Sequence, residues 1–91
     1  NVRLEQDVTL ENINDAVHAA AESGPLAKVL EYSTLPVVST DIIGNEHSSI
    51  YDAPFTRVIG GNFIKTLNWY DNEWGYSNRV VDLMGILNQF V

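Results

Sequence analysis

The stretch Trp69-Tyr70-Asp71-Asn72-Glu73-Trp74-Gly75-Tyr76-Ser77-Asn78-Arg79 gathers aromatic, amide, acidic and cationic side chains within three turns' length of chain. An asparagine presents a donor and an acceptor on one planar group, which suits it to pair with another carboxamide. The stretch lies where an alternating pattern gives way to a helical one. Strand ends and helix starts are where α/β enzymes place ligand contacts. A plainer role competes: Asn72 is a good helix cap, and the aromatics around it would simply fill a core.

Other groupings promise less. His47 is followed by Ser48 and Ser49, but adjacent residues on a strand point to opposite faces, so His47 does not activate Ser48 as a triad would require. It is expected to be a loop or strand-end histidine making structural hydrogen bonds. His18, next to Val17 on a helix pattern, is expected at the surface. Asp41, Glu46 and Asp52 lack the spacing and glycine of a calcium loop, so no metal site is expected. Gly60-Gly61 belongs to no G-x-G-x-x-G between a strand and a helix, and reads as a turn. The chain has no cysteine, which removes disulfides, thiolate zinc sites and thiol nucleophiles.

Twelve acidic residues against five basic ones among 91 give a net charge of −7. Such a surface repels phosphate backbones and argues against a nucleic-acid partner. No apolar run approaches the roughly 20 residues of a membrane helix, and there is no leader pattern, so no membrane partner is expected. A soluble, cytoplasmic protein is the default expectation. The first residue is Asn1, and Val2-Arg3-Leu4 looks like the interior of a strand, so the chain is expected to be cut from something longer.

The positioning elements follow from pattern. Thr9 is expected to cap a helix, with Glu11 near its positive end and Val8 and Ile13 as a hydrophobic staple. Ile13, Val17 and Ala20 or Ala21 form its apolar stripe, and Gly24-Pro25 ends it. Val29–Tyr32, Val37–Ile43 and Ser48–Tyr51 read as β-like runs. Thr56–Ile59 is expected to pair antiparallel with Asn62–Lys65 across Gly60-Gly61, since tight hairpins demand positive φ. The strand is expected to continue through Tyr70, with apolar groups on both faces and hence covered on both sides. From about Asn72 the period becomes helical, and Tyr76, Val80, Met84, Leu87 and Val91 form a stripe widened by Leu83 and Phe90. Gly75 and Gly85 weaken that helix and are expected to mark close approaches. The sum is an α+β chain: part of a mostly antiparallel sheet with one covering helix, then a long C-terminal helix whose apolar face finds too little sheet here to cover it.

WYDNEWGYSNRVVDL closely resembles the C-terminal signature of glyceraldehyde-3-phosphate dehydrogenases. VRLEQDVTLENINDAVHAAAESGPLAKVLEY is similar to that family's strand–helix–strand passage, VVSTDIIGNEHSSIYDA to the segment after it, and TRVIGGNFIKTLNWYDNE to its terminal hairpin. The resemblance spans essentially the whole chain, in order and spacing. Erythrose-4-phosphate dehydrogenases share D-N-E-W-G but depart at the flanks, where Tyr70 and Tyr76-Ser77 look more like the glyceraldehyde-3-phosphate enzymes.

The resemblance implies a parent of glycolysis, expected to be a homotetramer, that turns glyceraldehyde 3-phosphate, phosphate and NAD into 1,3-bisphosphoglycerate and NADH. NADP is the alternative cofactor that the resemblance leaves open. It implies residues 1–71 as the C-terminal half of the catalytic domain, and residues 72–91 as a terminal helix that packs on the Rossmann, NAD-binding domain. Asn72 then bonds the nicotinamide carboxamide, Tyr76 lies near the ring, and Glu73 is structural. The family's nucleophilic cysteine, its activating histidine and its glycine-rich loop have no counterpart among these residues, and Arg3 does not correspond to the family's phosphate-binding arginine. The chain alone is therefore expected to be inactive, to bind cofactor weakly if at all, and to self-associate through the uncovered helix face. A stand-alone interaction module is the reading of another class, and no basic stripe or recognition motif supports it.

Overall fold

The computed structural model describes residues 1–90. Its elements run β1 (Val2–Arg3), α1 (Leu10–Glu22), β2 (Leu30–Ser33), α2 (Ser39–Ile42), β3 (Ser49–Asp52), a 3-10 turn (Ala53–Phe55), β4 (Arg57–Ile59), β5 (Phe63–Lys65), β6 (Asn68–Trp69) and α3 (Trp74–Leu87), with a last 3-10 turn at Asn88–Phe90. This is the α+β arrangement expected, and three of the four strand pairings are antiparallel.

Helix α1 starts as its residues dictate. Asn12 N–H donates to Thr9 Oγ1 at 3.1 Å, and Thr9 N–H donates to Asn12 Oδ1 at 3.1 Å. The reciprocal pair satisfies two backbone donors, with asparagine in the place a glutamate often fills. At the other end Ser23 N–H reaches Ala19 O, and Gly24 takes φ +92°, a left-handed conformation that glycine enters without steric cost. His18 is at the surface, yet its ring stacks on Tyr32 at 4.6 Å, and Tyr32 stacks in turn on Tyr51 at 5.7 Å.

Two three-stranded sheets form, in the orders β1-β5-β4 and β2-β3-β6. The hairpin stands where expected, with Arg57 opposite Lys65 and Ile59 opposite Phe63. Its connection is one residue longer than two glycines, because Asn62 joins Gly60 (φ +65°) and Gly61 (φ +86°) in the loop. Asn62 and Gly61 then serve the N-terminal segment: Leu4 N–H donates to Asn62 O at 2.7 Å and Val8 N–H to Gly61 O at 2.8 Å.

Two expectations need correction. The run Val37–Ile43 is not a strand, since Ser39–Ile42 makes the one-turn helix α2. The cause is topological. β2 and β3 pair in parallel, Leu30 opposite Ser49 through Ser33 opposite Asp52, and parallel neighbours need a crossover of a dozen or more residues. Residues 34–48 are that crossover, and Asp41 accepts Val38 N–H at 2.8 Å to start the turn. The strand expected from Asn62 through Tyr70 is also two strands. β5 ends at Lys65 in the first sheet, and β6 begins at Asn68 in the second, antiparallel to β3. Apolar side chains on both faces of this run reflect membership of two sheets in succession.

The core is small: Ile42, Ile50, Tyr51 and Ile64 with Ser33, Asp52 and Thr56. Asp52 is fully buried. Its Oδ2 accepts Trp69 Nε1–H at 2.9 Å, its Oδ1 accepts Phe55 N–H at 3.3 Å, its N–H donates to Leu67 O and its carbonyl accepts the Thr56 hydroxyl at 3.0 Å. Helix α3, by contrast, buries only Gly75. Tyr76, Val80, Leu83, Met84, Leu87 and Phe90 are all exposed. Val91, placed on the same stripe by periodicity, lies outside the described residues.

Removing the Asp52 carboxylate should be costly because it strands the Trp69 and Phe55 donors. Asp52→Ala is expected to lower stability by about 1–3 kcal/mol, the usual cost of an orphaned buried donor. Asp52→Asn, which keeps one acceptor and the shape, should lose less. Melting temperatures of the two variants check this, and equal losses would show that the hydrogen bonds are not the cause.

Candidate functional site at the β6–α3 junction

Between β6 and α3 the chain turns through Tyr70, Asp71, Asn72 and Glu73, and this turn faces α2 across a cleft of about 410 Å³. Trp69, Tyr70, Asp71, Asn72 and Glu73 line one side, and Ser39, Ile42 and Ile43 the other. The walls combine indole and phenol rings with two isoleucines, and the polar groups concentrate on Asp71, Asn72 and Glu73. Such a mixture suits a flat, partly apolar ligand with a few hydrogen-bonding atoms.

The helix cap belongs to Asp71, not to Asn72. Asp71 Oδ1 accepts Trp74 N–H at 2.9 Å and Glu73 N–H at 3.1 Å, satisfying donors that the first turn of α3 leaves open. Its other oxygen, Oδ2, accepts Gly44 N–H at 2.9 Å, from the loop just beyond α2. The N–H groups of Trp74, then Gly44, hold the carboxyl below its ordinary value of 3.8, with a smaller contribution from Glu73. Hydrogen bonds to the charged form favour it. Asn72 is exposed, and its side chain has no hydrogen-bond partner among the described residues, so its amide is left with a donor and an acceptor at the cleft.

Tyr76 is placed differently. It sits on the second half-turn of α3, is 71% exposed and does not line the cleft. Asn72 and Tyr76 are thus brought to the same junction but not into one cavity. Glu73 stands immediately before α3 and lines the cleft, while its carbonyl accepts Ser77 N–H at 3.0 Å.

Helix α3 is seated by contacts with the loop before β3. Arg79 Nη1 donates to Glu46 O at 3.1 Å and to Ser48 Oγ at 2.9 Å. Arg79 Nε and Lys28 Nζ each meet Asp82 at 2.9 Å, and these cations lower the Asp82 carboxyl, Lys28 most. Gly75 passes so close to His47 that a Cβ there would lie 3.2 Å from the His47 carbonyl oxygen, whereas a Cβ on Gly85 would meet nothing within 4 Å. The close approach expected of both glycines therefore holds for one. His47 takes its structural role, with Nδ1 2.8 Å from Asn45 Oδ1 and 3.3 Å from Glu31 Oε1. Asp41, Glu46 and Asp52 serve α2, the Arg79 contact and the core separately.

Residue pattern alone left the α2 wall unassigned and offered Asn72, one residue too late, as the cap. Asp71 could have been found, since an aspartate two or three residues before open helix amides is a cap signal. The α2 wall carried no such signal, because Ser39, Ile42 and Ile43 reach the junction only through the crossover.

Fold and cleft together define an α+β segment with an opening where a strand meets a helix. The family model described as "Glyceraldehyde 3-phosphate dehydrogenase, C-terminal domain" matches residues 1–72. The chain is 55% identical over 87 residues to the glyceraldehyde-3-phosphate dehydrogenase of Kitasatospora aureofaciens, covering 96% of this chain and 26% of that protein. It is 48% identical over 87 residues to that of Aspergillus oryzae, covering 96% and 26%. The enzyme of Mycolicibacterium smegmatis is 50% identical over 86 residues, 94% of this chain and 25% of the relative. The chain belongs to the glyceraldehyde-3-phosphate dehydrogenase family, and it spans about a quarter of the length of the relatives it matches.

Because the native Asp71 carboxyl is held below its ordinary value, its anchoring is fully present above 3.8 and is lost as pH falls through the lower native value. The amide protons of Gly44 and Trp74 should therefore titrate together in acid, with a common midpoint below 3.8. Two-dimensional NMR across that range checks this, and separate midpoints would mean that one carboxylate does not hold both groups.

Proposed function

We propose that this chain serves as the C-terminal part of a phosphorylating glyceraldehyde-3-phosphate dehydrogenase, in which residues 1–71 complete the catalytic domain and α3 packs on the NAD-binding domain. In this reading Asn72 holds the nicotinamide carboxamide and Tyr76 lies beside the ring. The observation that carries it is the Asn72 amide, free of cap duty because Asp71 performs it. The residues fit the nicotinamide end of a dinucleotide: rings and aliphatic groups for the flat apolar part, and a donor–acceptor pair for its amide. They do not include a glycine-rich pyrophosphate cradle, so the rest of the cofactor is held by another part of the enzyme.

Bound NAD supplies the hydride acceptor. Asn72 contributes orientation, because a ring held by both donor and acceptor keeps one face toward the substrate, and misplacement of reacting groups by an ångström can cost on the order of 100-fold. The thiol and base that would act on glyceraldehyde 3-phosphate and phosphate are assigned to the remainder of the enzyme. The exposed face of α3 is assigned to the NAD-binding domain, since leaving it in water forgoes roughly 25 cal/mol per Å² of apolar surface. The assembly is proposed to be the homotetramer expected from the family, working in the cytoplasm.

In the full-length enzyme, Asn72→Ala should raise KM for NAD and slow hydride transfer, a loss of about 0.5–1.5 kcal/mol for one hydrogen bond and more if the ring misaligns. Asn72→Ser, which caps well but lacks the paired donor and acceptor, should not restore turnover. Steady-state kinetics with both variants decides, and full turnover in Asn72→Ser would remove the cofactor role.

The 91 residues alone should show no dehydrogenase activity and no micromolar affinity for NAD. Isothermal titration checks the second point. A clear micromolar isotherm would mean that the cleft by itself makes a dinucleotide site.

A further inference from the structure

One carboxylate reaches both sides of the cleft. Asp71 Oδ1 accepts Glu73 N–H at 3.1 Å, closing a turn with Asn72 as its central residue, and also accepts Trp74 N–H at 2.9 Å. Aspartate side chains commonly close such turns onto the backbone two residues on. Asp71 Oδ2 accepts Gly44 N–H at 2.9 Å, and Gly44 directly follows Ile43 on the opposite wall. Gly44 has φ +84° and follows α2 within the crossover. The two oxygens thus restrain the backbone on which Asn72 stands and the distance from that backbone to the facing wall.

We infer that Asp71 is a positioning residue for cofactor binding, acting through Asn72: its carboxylate sets the direction of the Asn72 amide and the width of the cleft by bonding Glu73, Trp74 and Gly44 at once. The inference rests on the reading of Asn72 as the nicotinamide contact. Three observations favour this over a simple cap. A cap needs only the Oδ1 contacts, whereas Oδ2 is spent on a residue far away in sequence. The loop so tied is the one whose preceding residues form the wall. The helix already has a second attachment at Arg79, on Glu46 and Ser48, so α3 does not depend on Asp71 alone to stay seated.

The conservative change separates the parts. Asp71→Asn keeps an oxygen for Glu73 and Trp74 but sets an amide nitrogen, a donor, against Gly44 N–H. Asp71→Ala removes both sets.

The test uses the full-length enzyme with Asp71→Ala, Asp71→Asn, Asn72→Ala and the doubles with Asn72→Ala, following KM for NAD, KM for glyceraldehyde 3-phosphate, and kcat. Asp71→Ala should raise KM for NAD and lower kcat, together costing about tenfold in kcat/KM for NAD, with KM for the sugar phosphate unchanged. Asp71→Asn should fall between it and the parent. In the Asn72→Ala background both Asp71 changes should cost little more, because a residue acting through another is not additive with it. If Asp71→Ala does not fold, Asp71→Asn alone carries the same comparison. Additive losses, or Asp71 variants with the parent's kinetics toward NAD, would overturn this inference while leaving Asn72 in place. A silent Asn72→Ala would instead overturn the nicotinamide contact and this inference with it.

Discussion

At the end of β3 the chain buries a carboxylate, and the polar atoms of that residue are committed to neighbours from several elements. Asp52 takes the Trp69 indole N–H from β6 and the Phe55 N–H from the turn leading to β4, gives its own N–H to Leu67 between the sheets, and receives the Thr56 hydroxyl. A polar side chain taken from water is tolerated only when its oxygens are well satisfied. The requirement therefore fixes the exit from β3, the entry to β4 and the return of β6 together. Where β6 returns decides where the turn through Asn72 begins.

From that frame α3 departs with little apolar support. Only Gly75 is buried on it, and its attachment to the body is polar or steric: Asp71 on Gly44, Gly75 against the His47 carbonyl, Arg79 on the 46–48 loop, and Lys28 with Arg79 on Asp82. Isolated helices of this length are marginal in water without tertiary burial. Five large side chains beyond the attachment, Leu83, Met84, Ile86, Leu87 and Phe90, remain in solvent. The apolar face of α3 thus stays uncovered among the described residues.

Local features were legible because they depend on a few neighbouring residues. Thr9 caps α1, Gly24 leaves it with positive φ, and the glycine pair turns the β4–β5 hairpin. Each outcome needs only side-chain reach and steric permission within about four residues. The helical period of α3 and the change of pattern near Asn72 were legible for the same reason. The stretch that carries Asn72 was also singled out from its residue types, although its cap was first sought in Asn72 and is found one residue earlier.

The residue order by itself thus determined the ends of α1, the hairpin, the course of α3 and the family signature around Asn72. Tertiary structure alone decided that Val37–Ile43 would hold a helical turn, that the run from Asn62 to Tyr70 would divide between two sheets, and that Ser39, Ile42 and Ile43 would line a cleft with Asn72. The physical reason is long-range pairing: β2 with β3 in parallel forces the crossover, while β5 pairs with β4 and β6 with β3, which divides the run. Residues of the crossover pair with no strand, and their backbone groups are satisfied locally, as Asp41 does for Val38. The cleft is a product of that distant pairing, and no window of neighbouring residues contains it.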